Sequence, residues 1–293
     1  MIYSFLYVLI FSIALVLIQK LDISIPPLFS LLITASIASI YFNLINLHRL
    51  KETYADCWVN RKLWLIIMSL VLMMWGCTMI GPGIIGASSF NFLYFSWLGM
   101  LGFISLSAKD WQKNYSNFYF SICLIILIFA NIFVEFQKSF ANEAIIGILL
   151  AIMGGTSSFV YFKISQAFAK KTHLSATQIL AVRFYLAIFV LIIFIPKHNI
   201  SDHFTLNSTL SLALLAFCSL IIPLYFSQKA LEKITSEQHA IINSLCPAIT
   251  GILQEIFFRD IRIEQIAIYL IYSISIAIFH FANKYNKKMM VNT

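Results

Sequence analysis

Charge is what this sequence has least of. Of its 293 residues only 11% are charged, while 60% are hydrophobic, and the mean hydropathy is +0.88. Soluble domains run nearer to roughly 45–50% apolar and about 25% charged. A chain of this size cannot hide so much apolar surface and still clothe itself in polar groups. The composition therefore excludes a water-soluble enzyme, a disordered chain and a collagen-like one, and it places the protein in a bilayer. Metal-binding patterns are missing too. The five cysteines (Cys57, Cys77, Cys123, Cys218, Cys246) are odd in number, sit mostly in apolar runs and form no CxxC or His/Cys spacing. They read as small buried hydrophobes, and no metal or cofactor is expected. Nor is there an HExxH, a paired Asp-rich motif or a Gly-rich phosphate loop, so no enzymatic chemistry is expected.

What is present is a series of long apolar runs. A hydrocarbon core of roughly 30 Å takes about 20 apolar residues per helix. Ten runs meet that length approximately: 1–18, 26–46, 63–80, 84–107, 117–134, 143–163, 176–195, 209–227, 236–256 and 264–282. They are too long, and too little alternating, for the strands of a membrane barrel. The first run lacks a basic leader and a small-residue cleavage site, so it reads as a helix and not as a signal peptide. The sizeable polar connections are 47–62, 164–175 and 196–208, and Gly81-Pro82-Gly83 reads as a tight hairpin. The expected fold is an all-α membrane protein of ten transmembrane helices.

Net charge is +8. With the N-terminus inside, fourteen Lys and Arg fall on inner segments and five on outer ones, while Arg183 is left within a span. Cytoplasmic loops carry such an excess, so both termini are expected in the cytoplasm. The basic balance then faces anionic lipid heads, and nucleic acid is not needed to explain it. Abundant Ile, Phe, Lys and Asn, with short loops, suit a bacterial inner membrane.

An internal repeat is visible at an offset of 152. Asn91-Phe-Leu93 with Gly99-Met-Leu101 parallels Asn243-Ser-Leu245 with Gly251-Ile-Leu253. Ser12 to Lys20 and Gly155 to Lys163 share one step from a small residue to a helix-ending lysine. Five spans per half is an odd number, which forces the second half to insert upside down relative to the first. The expected units are 1–134 and 143–282, followed by a short basic cytoplasmic tail at 283–293.

The second half carries the more specific pattern. Gly155-Thr-Ser-Ser-Phe-Val-Tyr-Phe-Lys163 is followed by the arginine–aromatic pair Arg183-Phe184. Ala230-Leu231 with Ile234-Thr-Ser236 comes next, then Pro247 ahead of Arg259-Asp260 and Gln265. This series resembles the repeat of EamA-type transporters in the drug/metabolite transporter superfamily. The first half follows the pattern in outline only, with Leu32 and Phe95 where its arginine and proline would stand and the acidic residue displaced to about Asp110. The resemblance implies ten helices in two inverted five-helix repeats and secondary transport of a small organic metabolite by alternating access. Such a substrate would be amino-acid-like or another carboxylate or zwitterion. The alternative on the same scaffold is a flippase for lipids or lipid-linked headgroups. The bilayer and a small-molecule substrate are the expected partners, and a homodimer is left open.

Arg183 lies about 12 Å into its span at 1.5 Å per residue. A charge there costs about 2.5–3.5 kcal/mol on insertion scales, so it faces a cavity or a partner. It is the leading substrate-binding candidate, for a carboxylate or phosphate; tying helices together is its other reading. Trp75 and Trp97, with Tyr94, Tyr161 and Tyr185, are candidates to wall the cavity. The repeat-related amides Asn91 and Asn243 bond either across helices or to substrate. Pro223 and Pro247 interrupt their spans and are candidate hinges. Lys163, near a helix end, reads as snorkelling, while Gln178 and Gln228 say less. None of the twelve acidic residues sits securely at mid-span, Glu255 coming nearest, and His239 and His280 fall near the inner surface. Facilitated diffusion or exchange is therefore expected in preference to carboxylate-based proton coupling.

Overall fold

The apolar runs fold as helices whose outward faces are as hydrophobic as their inward ones. The computed structural model describes residues 1–20, 26–109, 125–126, 141–195, 206–258, 267 and 271, and among them no strand occurs. Helix α1 is Ile2–Lys20, α2 is Pro27–Ile45, α3 is Leu50–Val59, α4 is Arg61–Ile85 and α5 is Ala87–Lys109. Then come α6 at Ala141–Thr172, α7 at Ala176–Val182, α8 at Tyr185–Phe194, α9 at Leu206–Leu215, α10 at Ile222–Lys233, α11 at Ser236–Asn243 and α12 at Cys246–Phe258. The expected spans 117–134 and 264–282, and the tail 283–293, lie outside the described residues. So do Asp110, Arg259, Asp260, Gln265 and His280.

Among the described residues six stretches are long and apolar enough to cross a membrane: Pro27–Ile45, Arg61–Ile85, Ala87–Leu106, Glu143–Thr172, Ala176–Phe194 and Thr209–Lys233. Ile2, Phe5, Leu9 and Ile13 on α1 are exposed, as are Ile145, Ile146, Leu149 and Met153 on α6 and Phe189, Ile192 and Phe194 on α8. Side chains spaced three or four apart share one helix face, so each helix turns an apolar stripe outward. In water such stripes would be a large unfavourable exposure; in lipid they need no cover.

Close packing comes from small residues. On α6, a Cβ added at Gly155 would lie 2.7 Å from the Tyr94 carbonyl oxygen, and one at Gly154 would lie 2.8 Å from the Tyr94 ring. A Cβ at Gly147 would meet Ile85 at 2.4 Å. These glycines let α6 run against α4 and α5, which supply its main contacts. Gly102 does the same for α5 against α11, with the Glu237 carbonyl 3.0 Å from the missing Cβ.

Several local expectations need correction. The chain does not turn at Gly81-Pro82-Gly83: α4 continues through Pro82 to Ile85, and the reversal falls at Gly86, whose φ of +81° is open to glycine. Residues 164–175 are not a connection, because α6 runs on to Thr172. The 47–62 segment is largely helical, with a 3₁₀ turn at Leu47–Arg49 leading into α3.

The candidate hinges also fall differently. Pro223 is in the first turn of α10, directly after a π-helical turn at Ala216–Ile221. Pro247 is the second residue of α12, which starts after a break at Ser244–Leu245. Pro247 opens its helix, where its missing N–H would have had no partner in any case, whereas Pro223 stays within the unbroken helical stretch Thr209–Lys233, at the end of its π turn. A third discontinuity separates α7 from α8 at Arg183–Phe184.

Candidate functional site: a buried arginine in a closed aromatic cavity

The break at Arg183–Phe184 follows from how its carbonyls are satisfied. Asn43 donates from Nδ2 to the Ala181 oxygen at 3.0 Å, and Trp64 donates from Nε1 to the Val182 oxygen at 2.9 Å. Side chains of α2 and α4 thus take over acceptors that a continuous helix would satisfy internally. The interruption holds Arg183 at the end of α7, fully within the protein at 1% exposure.

Its guanidinium is underused. Nη1 donates to the Tyr161 hydroxyl at 2.7 Å, and the charge lies 5.3 Å from the Tyr161 ring centre and 4.6 Å from that of Phe184. Nε and Nη2 have no hydrogen-bond partner among the described residues. Both are buried, and a buried donor left unsatisfied costs about 1–3 kcal/mol, more for a charged one.

Arg183 opens onto a closed cavity between α1, α4, α5, α6 and α10. Trp75, Asn91, Tyr94 and Tyr161 line it with the arginine, so five of the eight sequence candidates come together. The Trp75 indole N–H is a second buried donor with no partner among the described residues. The cavity's free space is about 20 Å³, room for about one water molecule. The conformation is thus closed, and a metabolite enters only if the walls part.

The walls are aromatic and hydroxylic. Tyr7 and Phe11 of α1 stack with ring centres 5.4 Å apart, and Phe11 meets Trp75 and Phe95 edge-on at 6.5 and 5.9 Å. Ser158 bonds the Tyr94 hydroxyl, while Thr78 and Ser227 add further hydroxyls. No carboxylate is among the described lining residues.

Three candidates lie elsewhere. Trp97 donates from its indole nitrogen to Thr156 at 2.9 Å. Tyr185 joins a polar knot in which Asn43 donates to its hydroxyl at 2.8 Å and Tyr54 shares a hydrogen bond with it. Burial, and then that bond to Tyr185, raise the Tyr54 phenol above its ordinary range. Asn243 is buried on α11 beside His239, with Nδ2 at 3.4 Å from Nε2 of the ring.

Sequence reasoning also missed neighbours of the site. His239 is wholly buried within the protein, with Nδ1 at 2.9 Å from the Ser4 hydroxyl and Nε2 at 2.8 Å from that of Ser227. Gln228 looked like a helix-end amide yet is 2% exposed, and its carbonyl oxygen accepts from Tyr161 at 3.1 Å. The i, i+3 spacing of Ser158 with Tyr161, and of Leu224 with Ser227, places those four on the cavity faces of α6 and α10, but it gives no signal for Gln228 or His239. Lys163 is engaged with the rim, donating to Ser105 at 2.6 Å and lying 3.7 Å from the Glu237 carboxylate.

This fold is that of a multi-pass helical membrane protein. Residues 145–281, a little under half of the chain, match the model of the EamA-like transporter family. A solved structure titled "Crystal structure of protein" is 14% identical, with a TM-score of 0.71 and 95% of each chain covered. At that identity the likeness is one of fold, and it extends over both halves of the chain. No curated protein matches.

Proposed function

We propose that this protein is a secondary transporter of small organic anions, with Arg183 as the substrate-binding group. The observation that carries the reading is the pair of buried, unpartnered guanidinium nitrogens facing an aromatic cavity, with the Trp75 N–H beside them. A carboxylate or phosphate supplies the acceptors and the opposite charge together. The wider class that includes zwitterions is less well served, because none of the described lining residues is a carboxylate that could receive an ammonium group.

The transport cycle in this reading is alternating access between two inverted five-helix halves, 1–134 and 143–282, in a bacterial inner membrane with both termini cytoplasmic. The odd number of expected spans per half and the sorted basic residues support that arrangement. Asn91, Tyr94 and Tyr161 shape the cavity, and Pro223 and Pro247 lie in the helical segments that move.

A thermal-shift screen tests the reading. Ligand stabilisation follows RT ln(1 + [L]/Kd), about 2.7 kcal/mol at a hundredfold excess over Kd. Purified protein is expected to gain melting temperature with aromatic carboxylates or phosphate esters, and Arg183→Ala is expected to lose that gain. Equal shifts in both proteins would remove Arg183 from the site, and stabilisation by long-chain lipids alone would turn the reading toward the flippase.

A further inference from the structure

Two hollow spaces lie on either side of a thin partition. One is the closed cavity around Arg183. The other is a groove of about 600 Å³ where the ends of α6 and α10 meet the starts of α7 and α11, lined by Lys170, His173, Lys233, Glu232 and Gln238 among others. Consecutive residues of α10 face the two spaces, Ser227 the cavity and Gln228 the groove. From α6, the Tyr161 hydroxyl donates to Gln228 Oε1 at 3.1 Å, and Ser165 holds the same amide, 3.2 Å from Oε1 and 2.9 Å from Nε2.

The chain of bonds has one direction. Arg183 Nη1 donates to the Tyr161 hydroxyl at 2.7 Å. A phenol has a single proton, so an oxygen that accepts from arginine passes its own proton onward to the Gln228 carbonyl. A charged donor polarises the phenol and strengthens that onward bond. The closed partition is therefore bonded to the binding group.

We propose that the Tyr161–Gln228 contact is the inner gate of the cavity and that Arg183 latches it while no anion is bound. Gln228 is in this sense a positioning residue. The inference rests on reading Arg183 as the anion-binding group. An anion that engages Nε and Nη2 draws the guanidinium toward itself and competes with Tyr161 for its charge. The phenol then donates more weakly, and the partition between α6 and α10 yields toward the groove. An empty transporter stays shut on this side and a loaded one opens, which suppresses leak. Among the described lining residues Lys170 and Lys233 stand against one carboxylate, Glu232, which gives the groove beyond the gate a positive balance suited to an anion.

Accessibility of a thiol behind the gate tests this. Ser227→Cys is introduced into the full chain, and inside-out vesicles are treated with a membrane-impermeant maleimide, the chain without the added thiol serving as reference. Labelling is expected to be slow in the absence of anion and at least about tenfold faster with a carboxylate or phosphate that stabilises the protein. With Tyr161→Phe, which removes one oxygen and no volume, or Gln228→Ala, it is expected to be fast without any anion. Gln228→Glu, which keeps the acceptor, is expected to restore slow labelling. The gate is overturned if both variants, purified as monodisperse protein, label as slowly as their parent, or if the parent labels fast when empty. If the thermal shifts still vanish in Arg183→Ala, the gate alone has failed. If no anion stabilises the protein or speeds labelling while Gln228→Ala opens the thiol, the partition stands and the anion reading and its latch fall.

Discussion

Arg183 was legible as the one basic residue left inside an apolar run, because a charge without an aqueous exit needs a reason to be there. Its partners were less so. Hydropathy ranks Tyr161 and Gln228 by polarity alone, and Gln228 falls near the end of its run, where an amide is unremarkable. Only the crossing of α6 over α10 brings the two together, and no one-dimensional pattern carries that crossing. The partners of His239 were hidden for the same reason: it is close to a helix start along the chain and wholly buried between α1, α6 and α10. Cys57 on the connecting helix α3 gives a simple check at this scale. It is 0% exposed, and burial, helped by the neighbouring Asp56, pushes its thiol up to about 12. Alkylation needs the thiolate, which at pH 8 is then only about one part in 10⁴. Cys57 is accordingly expected to stay unlabelled by iodoacetamide in the folded protein at pH 8, and to label after denaturation, as mass spectrometry of the peptide would show.

Among the elements, α6 was read as a small-residue helix ending in lysine, and that reading has a structural cause. Glycines and serines of its first two-thirds admit the backbones of α4 and α5, and its polar end carries Gln166 and Lys170 to the groove. Helix length was misread, since 164–175 is polar enough to look like a loop and yet continues α6 as amphipathic helix. The prolines mark irregularities of two kinds, Pro247 near the start of a new helix and Pro223 at the end of a π turn inside one. Substitution of the glycines separates close packing from mere helix propensity. Gly155→Ala places a methyl group 2.7 Å from the Tyr94 carbonyl oxygen, which the backbone of α5 can relieve only by shifting. It is expected to destabilise by about 1–3 kcal/mol. Gly76→Ala, with nothing within 4 Å of the new methyl group, is expected to be neutral or to stabilise by up to about 1 kcal/mol. Melting temperatures of the two variants in the same detergent decide the point, and equal losses would mean that α6 and α5 have slack between them.

At the scale of the whole molecule, hydropathy sufficed to recognise the membrane and to locate most of the helices described, because the bilayer imposes one length and one polarity on every crossing segment. It could not foresee where those helices are broken. The breaks are made by tertiary partners, such as Asn43 and Trp64 reaching the carbonyls of Ala181 and Val182, or by a π turn in which Ile222 donates to Phe217 five residues back. Their distribution has a mechanical consequence. Among the described residues α1, α2, α4 and α5 run without interruption, while the breaks at 183–184, 216–221 and 244–245 all fall after residue 143. The described residues before 110 and those after 141 are then unlike in compliance: the former behave as a set of stiff rods and the latter as a jointed frame. Hydrogen exchange in detergent is expected to be fastest, within buried segments, at the amides flanking those three joints, and uniformly slow through the middle of α2 and α5. Elastic deformation would then be concentrated on one side of the cavity, with the stiffer part acting as the anvil against which the jointed one flexes.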